Sequence, residues 1–179
     1  VFGDVKTLTD KYVESGTVEI GFENQLHSTL LDESQYTFDL WAPEDMKSGQ
    51  HTVRVTVRDS YGNTGSGTSE IEILPKATSL EITMDSTSLN PGEEFDLSVT
   101  LFDQAGDFMV GDAVMELYDS NENKISERDM FSGEALTYEL SVISVPGEWE
   151  VKTYYPLGED IIEDVQKFTV AIVEEIDYY

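Results

Sequence analysis

Hydrophobic and polar residues alternate with period two along most of this chain, and no window of a dozen residues keeps the apolar period of an amphipathic helix. Side chains two apart on an extended strand share a face, so each alternating run predicts a strand with one buried and one wet side. In the first half such runs are Thr17–Phe22, Tyr36–Trp41 and, most clearly, Gly49–Arg58, where Val53, Val55 and Val57 oppose Thr52, Arg54, Thr56 and Arg58. The turn-forming residues from Asp59 to Gly67 predict a connector, and Thr68–Leu74 a returning strand. In that hairpin Arg54 and Arg58 are expected to face Glu70 and Glu72, each pair adding roughly 0.2–1 kcal/mol and supporting register rather than function.

Pro75-Lys76-Ala77-Thr78 interrupts the pattern, because proline cannot donate within a central ladder, and a fresh strand begins at Ser79–Met84. A domain boundary is placed here, giving domains over residues 1–75 and 76–179. Beyond it, runs at Glu94–Phe102, Ala113–Tyr118, Lys124–Glu127, Ala135–Ile143, Glu148–Tyr155 and Val165–Val173 complete seven strands. Seven strands in about 100 residues is the number of an immunoglobulin-like sandwich. The expected fold is all-β, with two tandem immunoglobulin-like β-sandwich domains.

The stretch Gly49-Gln50-His51-Thr52-Val53-Arg54-Val55-Thr56-Val57-Arg58-Asp59-Ser60-Tyr61-Gly62-Asn63-Thr64 resembles the last strands of bacterial and archaeal immunoglobulin-like surface domains. Leu89-Asn90-Pro91-Gly92-Glu93-Glu94-Phe95 and Val145-Pro146-Gly147-Glu148-Trp149-Glu150-Val151 resemble, more loosely, other prokaryotic modules with Pro-Gly-Glu before a strand. The resemblance covers about 16 residues and two short patches, all of it turn and alternation chemistry. It implies a place on the cell surface, as a repeated module of adhesins, surface layers, appendages or secreted enzymes, and it implies no ligand.

Charge narrows the partners. Ten Lys and Arg stand against 37 Asp and Glu, a formal net charge of −27. Residues 1–75 carry net −8 and residues 76–179 net −19. Such a surface repels phosphates, which argues against nucleic acid and against anionic membrane surfaces. High-salt adaptation, bound divalent cations and colloidal repulsion at a cell surface each account for the acidity, and composition does not separate them. With 39% hydrophobic residues the chain is expected to be packed rather than disordered. No cysteine is present, so no disulfide holds either domain, and no run approaches the roughly 20 apolar residues of a membrane span. The first residues, Val1-Phe2-Gly3-Asp4, match no signal peptide, and the chain reads as a piece of something longer.

Candidate chemistry is sparse. His27 and His51 show no metal-ligand spacing, and no Gly-x-Ser-x-Gly elbow occurs, Gly65-Ser66-Gly67 being expected in a hairpin loop. Asp119-Ser120-Asn121-Glu122-Asn123 begins like an EF-hand loop, but Lys124 and Met130 occupy the positions that need Gly and Glu. It is expected to be a polar hairpin turn. Asp103, Asp107 and Asp112 form a second acidic loop of irregular spacing. Calcium is the one cofactor these loops suggest, and no metal, cofactor or catalytic residue is assigned. For sugar stacking, Trp41, Trp149, Tyr154 and Tyr155 form the pool; Trp41 and Trp149 are expected in or near the core, leaving Tyr154 on the open face. No Asn-x-Ser/Thr sequon exists. The expectation is a non-catalytic extracellular structural or spacer module of a cell-surface protein, such as a surface layer, stalk or filament, whose partners are other subunits or neighbouring domains. The alternative is a glycan- or protein-binding adhesion module attached to a secreted enzyme or adhesin.

Overall fold

The computed structural model describes residues 2–6 and 11–172, with side chains from Val5 onward. The described secondary structure is all-β. The chain divides into two compact units, Val1–Leu74 and Pro75–Tyr179.

The first unit contains β1 (Phe2–Asp4), β2 (Gly16–Phe22), β3 (Gln25–Leu30), β4 (Gln35–Thr37), β5 (Gly49–Asp59) and β6 (Thr64–Ile73). Four of these form an antiparallel sheet in the order β3-β2-β5-β6, and β1 pairs with β4. The register sets Val18 opposite Val57, Ile20 opposite Val55 and Phe22 opposite Val53, so apolar rows run across the central pair. Buried Leu31 and Met46, with Val5, Val13, Tyr36, Phe38 and Leu40, pack on these rows. Among the described residues the second layer is therefore thin: a two-stranded ribbon with bridges at Lys6–Tyr12 and Asp32–Gln35.

Three local expectations change here. The run Tyr36–Trp41 leaves its ladder after Thr37, and Trp41 is 78% exposed rather than in the core. Phe38 and Leu40 point inward, so alternation turns Trp41 outward, and Pro43 then restricts continuation of the strand. Strand β3 carries no apolar alternation toward the core, since its inward positions are Gln25, His27 and Thr29 and its exposed ones include Leu26 and Leu30. A two-residue turn at Glu23-Asn24, with Glu23 at φ 50°, returns the chain onto β2. Strand β6 begins at Thr64, which places Gly65-Ser66-Gly67 in the ladder rather than in a loop. Arg54 consequently lies opposite Thr68 and Arg58 opposite Thr64, not opposite Glu70 and Glu72.

The second unit contains β7 (Ala77–Met84), β8 (Ser88–Leu89), β9 (Glu94–Asp103), β10 (Phe108–Met109), β11 (Asp112–Tyr118), β12 (Lys124–Phe131), β13 (Ala135–Glu139), β14 (Gly147–Leu157) and β15 (Asp160–Val170). One sheet joins β7, β9, β10 and β13, and the other runs β12-β11-β14-β15-β8. Each sheet draws strands from both halves of the unit, and β8 pairs in parallel with the last strand, an immunoglobulin-like sandwich. Phe95, Leu97, Val99 and Leu101 from one sheet meet Met115, Leu117, Trp149, Val151 and Phe168 from the other. Phe95 and Phe168 stack 5.2 Å apart, with Trp149 6.0 Å from Phe168. Trp149 is 3% exposed, and its indole N–H donates to the Val145 carbonyl at 2.7 Å, which satisfies its one polar atom.

One atom in this core is poorly matched. Thr153 lies between Val151 and Tyr155 on the inner face of β14, fully buried, and its hydroxyl has no hydrogen-bond partner among the described residues. A buried hydroxyl without a partner costs about 1–3 kcal/mol relative to an apolar group of the same shape. Thr153→Val is therefore expected to raise the stability of the second unit by about 1 kcal/mol, read as a higher denaturant midpoint at unchanged m-value. A lower midpoint would show that the hydroxyl is satisfied in solution.

Candidate functional site

Acidic loops are the first place to look for chemistry, and three of them fold identically. In each, the backbone N–H of an aspartate at a strand end donates to the carbonyl four positions on, and its own carbonyl accepts the N–H three positions on. Asp59 N–H donates to Asn63 O, Asp103 N–H to Asp107 O and Asp119 N–H to Asn123 O, at 2.8–3.0 Å. The aspartate carboxylate then accepts two backbone N–H groups from inside its own loop: Tyr61 and Asn63, Ala105 and Asp107, Asn121 and Asn123. The fourth residue takes a left-handed backbone, at Gly62 (φ 86°), Gly106 (φ 76°) and Glu122 (φ 64°).

Asp103 and Asp119, two of the carboxylates that suggested calcium, thus serve as turn acceptors. The Asp119 carboxyl is lowered from its ordinary value, chiefly because the Asn123 amide and then its backbone N–H stabilise the anion. Asp59 is lowered in the same way by Asn63. Asp112 stands apart, exposed at the start of β11 opposite Phe131, so it does not converge with Asp103 and Asp107. Among the described residues no group of three or more His, Asp or Glu is placed to hold a metal ion.

The two histidines lie on strands separated by β2. His27 is part-buried, 3.3 Å from Gln25 Oε1 and tilted against Phe38. His51 is held at both ring nitrogens, Nδ1 2.6 Å from Glu23 Oε1 and Nε2 2.8 Å from the Lys47 carbonyl. Its pKa is raised above the ordinary histidine value, first by the Glu23 hydrogen bond and then by the Lys47 carbonyl. This residue ties the β2–β3 turn to the start of β5; its carboxylate partner Glu23 lies 28 positions away, which its sequence neighbourhood does not reveal.

On the outer face of the larger sheet, lysines alternate with carboxylates. Lys124 contacts Glu116 and Glu127, Lys152 contacts Glu150 and lies over the Tyr118 ring, and Lys167 contacts Glu148. The Tyr118 hydroxyl donates to Glu116 at 2.7 Å and is the main reason that carboxyl is lowered. Tyr154 shares this face, half-buried between Val114 and Glu163 in the register, while Tyr155 turns toward the core. Neither offers a bare ring face of the kind sugar stacking uses.

Two depressions stand out among the described residues. One, of about 520 Å³, is lined by Arg54, Thr56 and the Thr64–Thr68 segment on the β5–β6 hairpin. The other, of about 590 Å³, lies at one end of the second unit against the loop Leu140–Val145, where Val142 and Ile143 are exposed. Neither lining includes a histidine, and the second carries the carboxylates of Asp119 and Glu139 beside Ser141 and Ser144.

No protein-family model matches the chain, and no curated protein matches it. Among solved structures it is similar to a tetra-tandem repeat in the extending region of a large adhesion protein, at 16% identity and a TM-score of 0.43. The alignment covers 88% of this chain and 42% of that one. No helix among the described residues is long and apolar enough to cross a membrane.

Two measurements test these local assignments. Glu122 stands where the sister turns place glycine, and a left-handed backbone costs an L-residue roughly 1–2 kcal/mol. Glu122→Gly is expected to stabilise the second unit by up to about 1 kcal/mol, whereas Gly62→Glu should destabilise the first. His51, with its pKa raised by folding, adds stability that is complete below its unfolded value of about 6.5 and is lost as pH rises through the higher folded value. The stability of the first unit should therefore fall across that window in the wild type and less in Glu23→Gln, read by denaturant titration at several pH values; equal slopes would remove Glu23 as the cause.

Proposed function

We propose that the chain is a non-catalytic, extracellular structural or spacer module of a cell-surface protein, of the kind that builds a surface layer, stalk or filament. The observation that carries this reading is the path of the chain through the second unit. The chain comes in at Ala77, opposite Asp103, and its last described strand ends at Val170, opposite Gly147. Gly111 rests against Leu101 and Tyr155, which puts the Asp103 end of β9 beside the Leu157 end of β14. Gly147 begins β14, so it marks the other end. Incoming and outgoing chain thus lie at opposite ends of a sandwich whose ten- and eleven-residue strands span roughly 35 Å at about 3.3 Å per residue. A domain threaded this way adds length when repeated, while one with both ends together only decorates.

The acidic surface suits such a role. Like charge along a tether keeps neighbouring modules dispersed, and turns closed by their own aspartates need no ligand to hold shape. A second reading, a binding module attached to an enzyme or adhesin, draws on the exposed Val142 and Ile143 beside the 590 Å³ depression. Small-angle scattering on the chain and on two copies joined in series checks the spacer: its maximum dimension should nearly double. A tandem scarcely longer than the single chain would overturn it, and saturable binding of a glycan or protein, lost in Ile143→Asp, would favour the second reading.

A further inference from the structure

Edge strands expose unpaired backbone groups, and proteins usually guard them with charge. Among the described edge strands of six residues or more, β12 carries Lys124, Glu127, Arg128 and Asp129, β6 carries Glu70 and Glu72, and β7 carries Glu81. The β7 edge is blocked further, because Asp164 Oδ2 accepts the Ile82 N–H at 2.9 Å. Strand β3, Gln25-Leu26-His27-Ser28-Thr29-Leu30, has no Asp, Glu, Lys or Arg in a chain of net charge −27. It also exposes Leu26 at 73% and Leu30 at 76%.

The backbone phase of this edge is fixed. The two-residue turn makes Phe22 and Gln25 a hydrogen-bonded pair, and the Leu31 N–H donates to Gly16 O at 2.9 Å. Hydrogen-bonded pairs recur every second residue, so Gln25, His27, Thr29 and Leu31 face β2. Leu26, Ser28 and Leu30 turn their N–H and C=O groups to the open side.

We infer that β3 is a docking edge for a second copy of the same chain, the two β3 strands pairing antiparallel about a two-fold axis at Ser28. In that register Ser28 faces Ser28 of the other copy and Leu26 faces Leu30, twice. All three outward residues on each strand exchange both backbone bonds, which joins two four-stranded sheets into one of eight. The four exposed leucines share the outer face and cover one another. A shift of two residues in either direction leaves at least one leucine opposite a polar residue or a turn, so the sequence of β3 selects this register. The pairing is independent of the spacer reading, since it concerns the side of the first unit. Because each copy carries −27, the association strengthens with salt as repulsion is screened.

Sedimentation equilibrium of the full chain over increasing concentration and sodium chloride tests this. The expected result is a mass moving from 20.1 kDa toward twice that value, earlier at high salt. Ser28→Pro removes an outward N–H, and Leu26→Lys charges the exposed face; both should remain monomeric with unchanged circular dichroism and melting. Should either variant misfold, Ser28→Cys decides: the chain has no other cysteine, and opposed Cα atoms about 5.5 Å apart lie within disulfide reach. Rapid oxidation to a covalent dimer, with Ser66→Cys on the β6 edge staying monomeric, supports the pairing. A wild type that stays monomeric at the highest concentration and salt, or a dimer untouched by Ser28→Pro, overturns it.

Discussion

With no cysteine to cross-link it, this protein rests on burial of one face of each sheet. A pleated strand offers its side chains alternately to two sides, so a chain that must bury apolar surface within units of about 75–105 residues has to write hydrophobic residues at every second position and keep them in register across strands. The rows Val18–Val57, Ile20–Val55 and Phe22–Val53 do so in the first unit. The interleaved Phe95, Phe168 and Trp149 do so between the two sheets of the second. Most polar side chains are left to the other face or to the ends, Thr153 being an exception.

The charge is organised by the same constraint. Carboxylates and lysines excluded from the core meet on the outer face of the larger sheet, where Glu116, Lys124 and Lys152 lie on adjacent strands. At the ends, aspartates 59, 103 and 119 are drawn into the turns, where backbone N–H groups need acceptors. The most suggestive acidic clusters are thus turn chemistry, and the remaining excess is solvated surface that repels its own kind. Against that background the edge at β3, uncharged and with two bare leucines, stands out among the described edge strands of six residues or more.

The proposed spacer role rests on the path of the chain through the second unit. A sandwich that takes in the chain at one end and releases it at the other converts sequence length into physical length, and odd numbers of principal strands are what allow it. His51 uses both ring nitrogens to fasten the β2–β3 turn to the start of β5.

The sequence by itself determined the fold class, most of the strands and the inward face of each, because period-two burial is local and appears residue by residue. It also made the acidic loop at Asp119 readable as a turn, since Lys124 and Met130 stand where a calcium loop needs other residues. Tertiary structure decided what depends on partners far along the chain. It decided that β3 is a strand at all, its place being given by a turn and by β2 rather than by its own pattern. It turned Trp41 to solvent while keeping Phe38 inside, and it set the β5–β6 register that sends Arg54 and Arg58 past the glutamates they were expected to meet. Register, edge exposure and the ends at which a chain comes and goes are properties of pairing, and pairing is written only when distant strands meet.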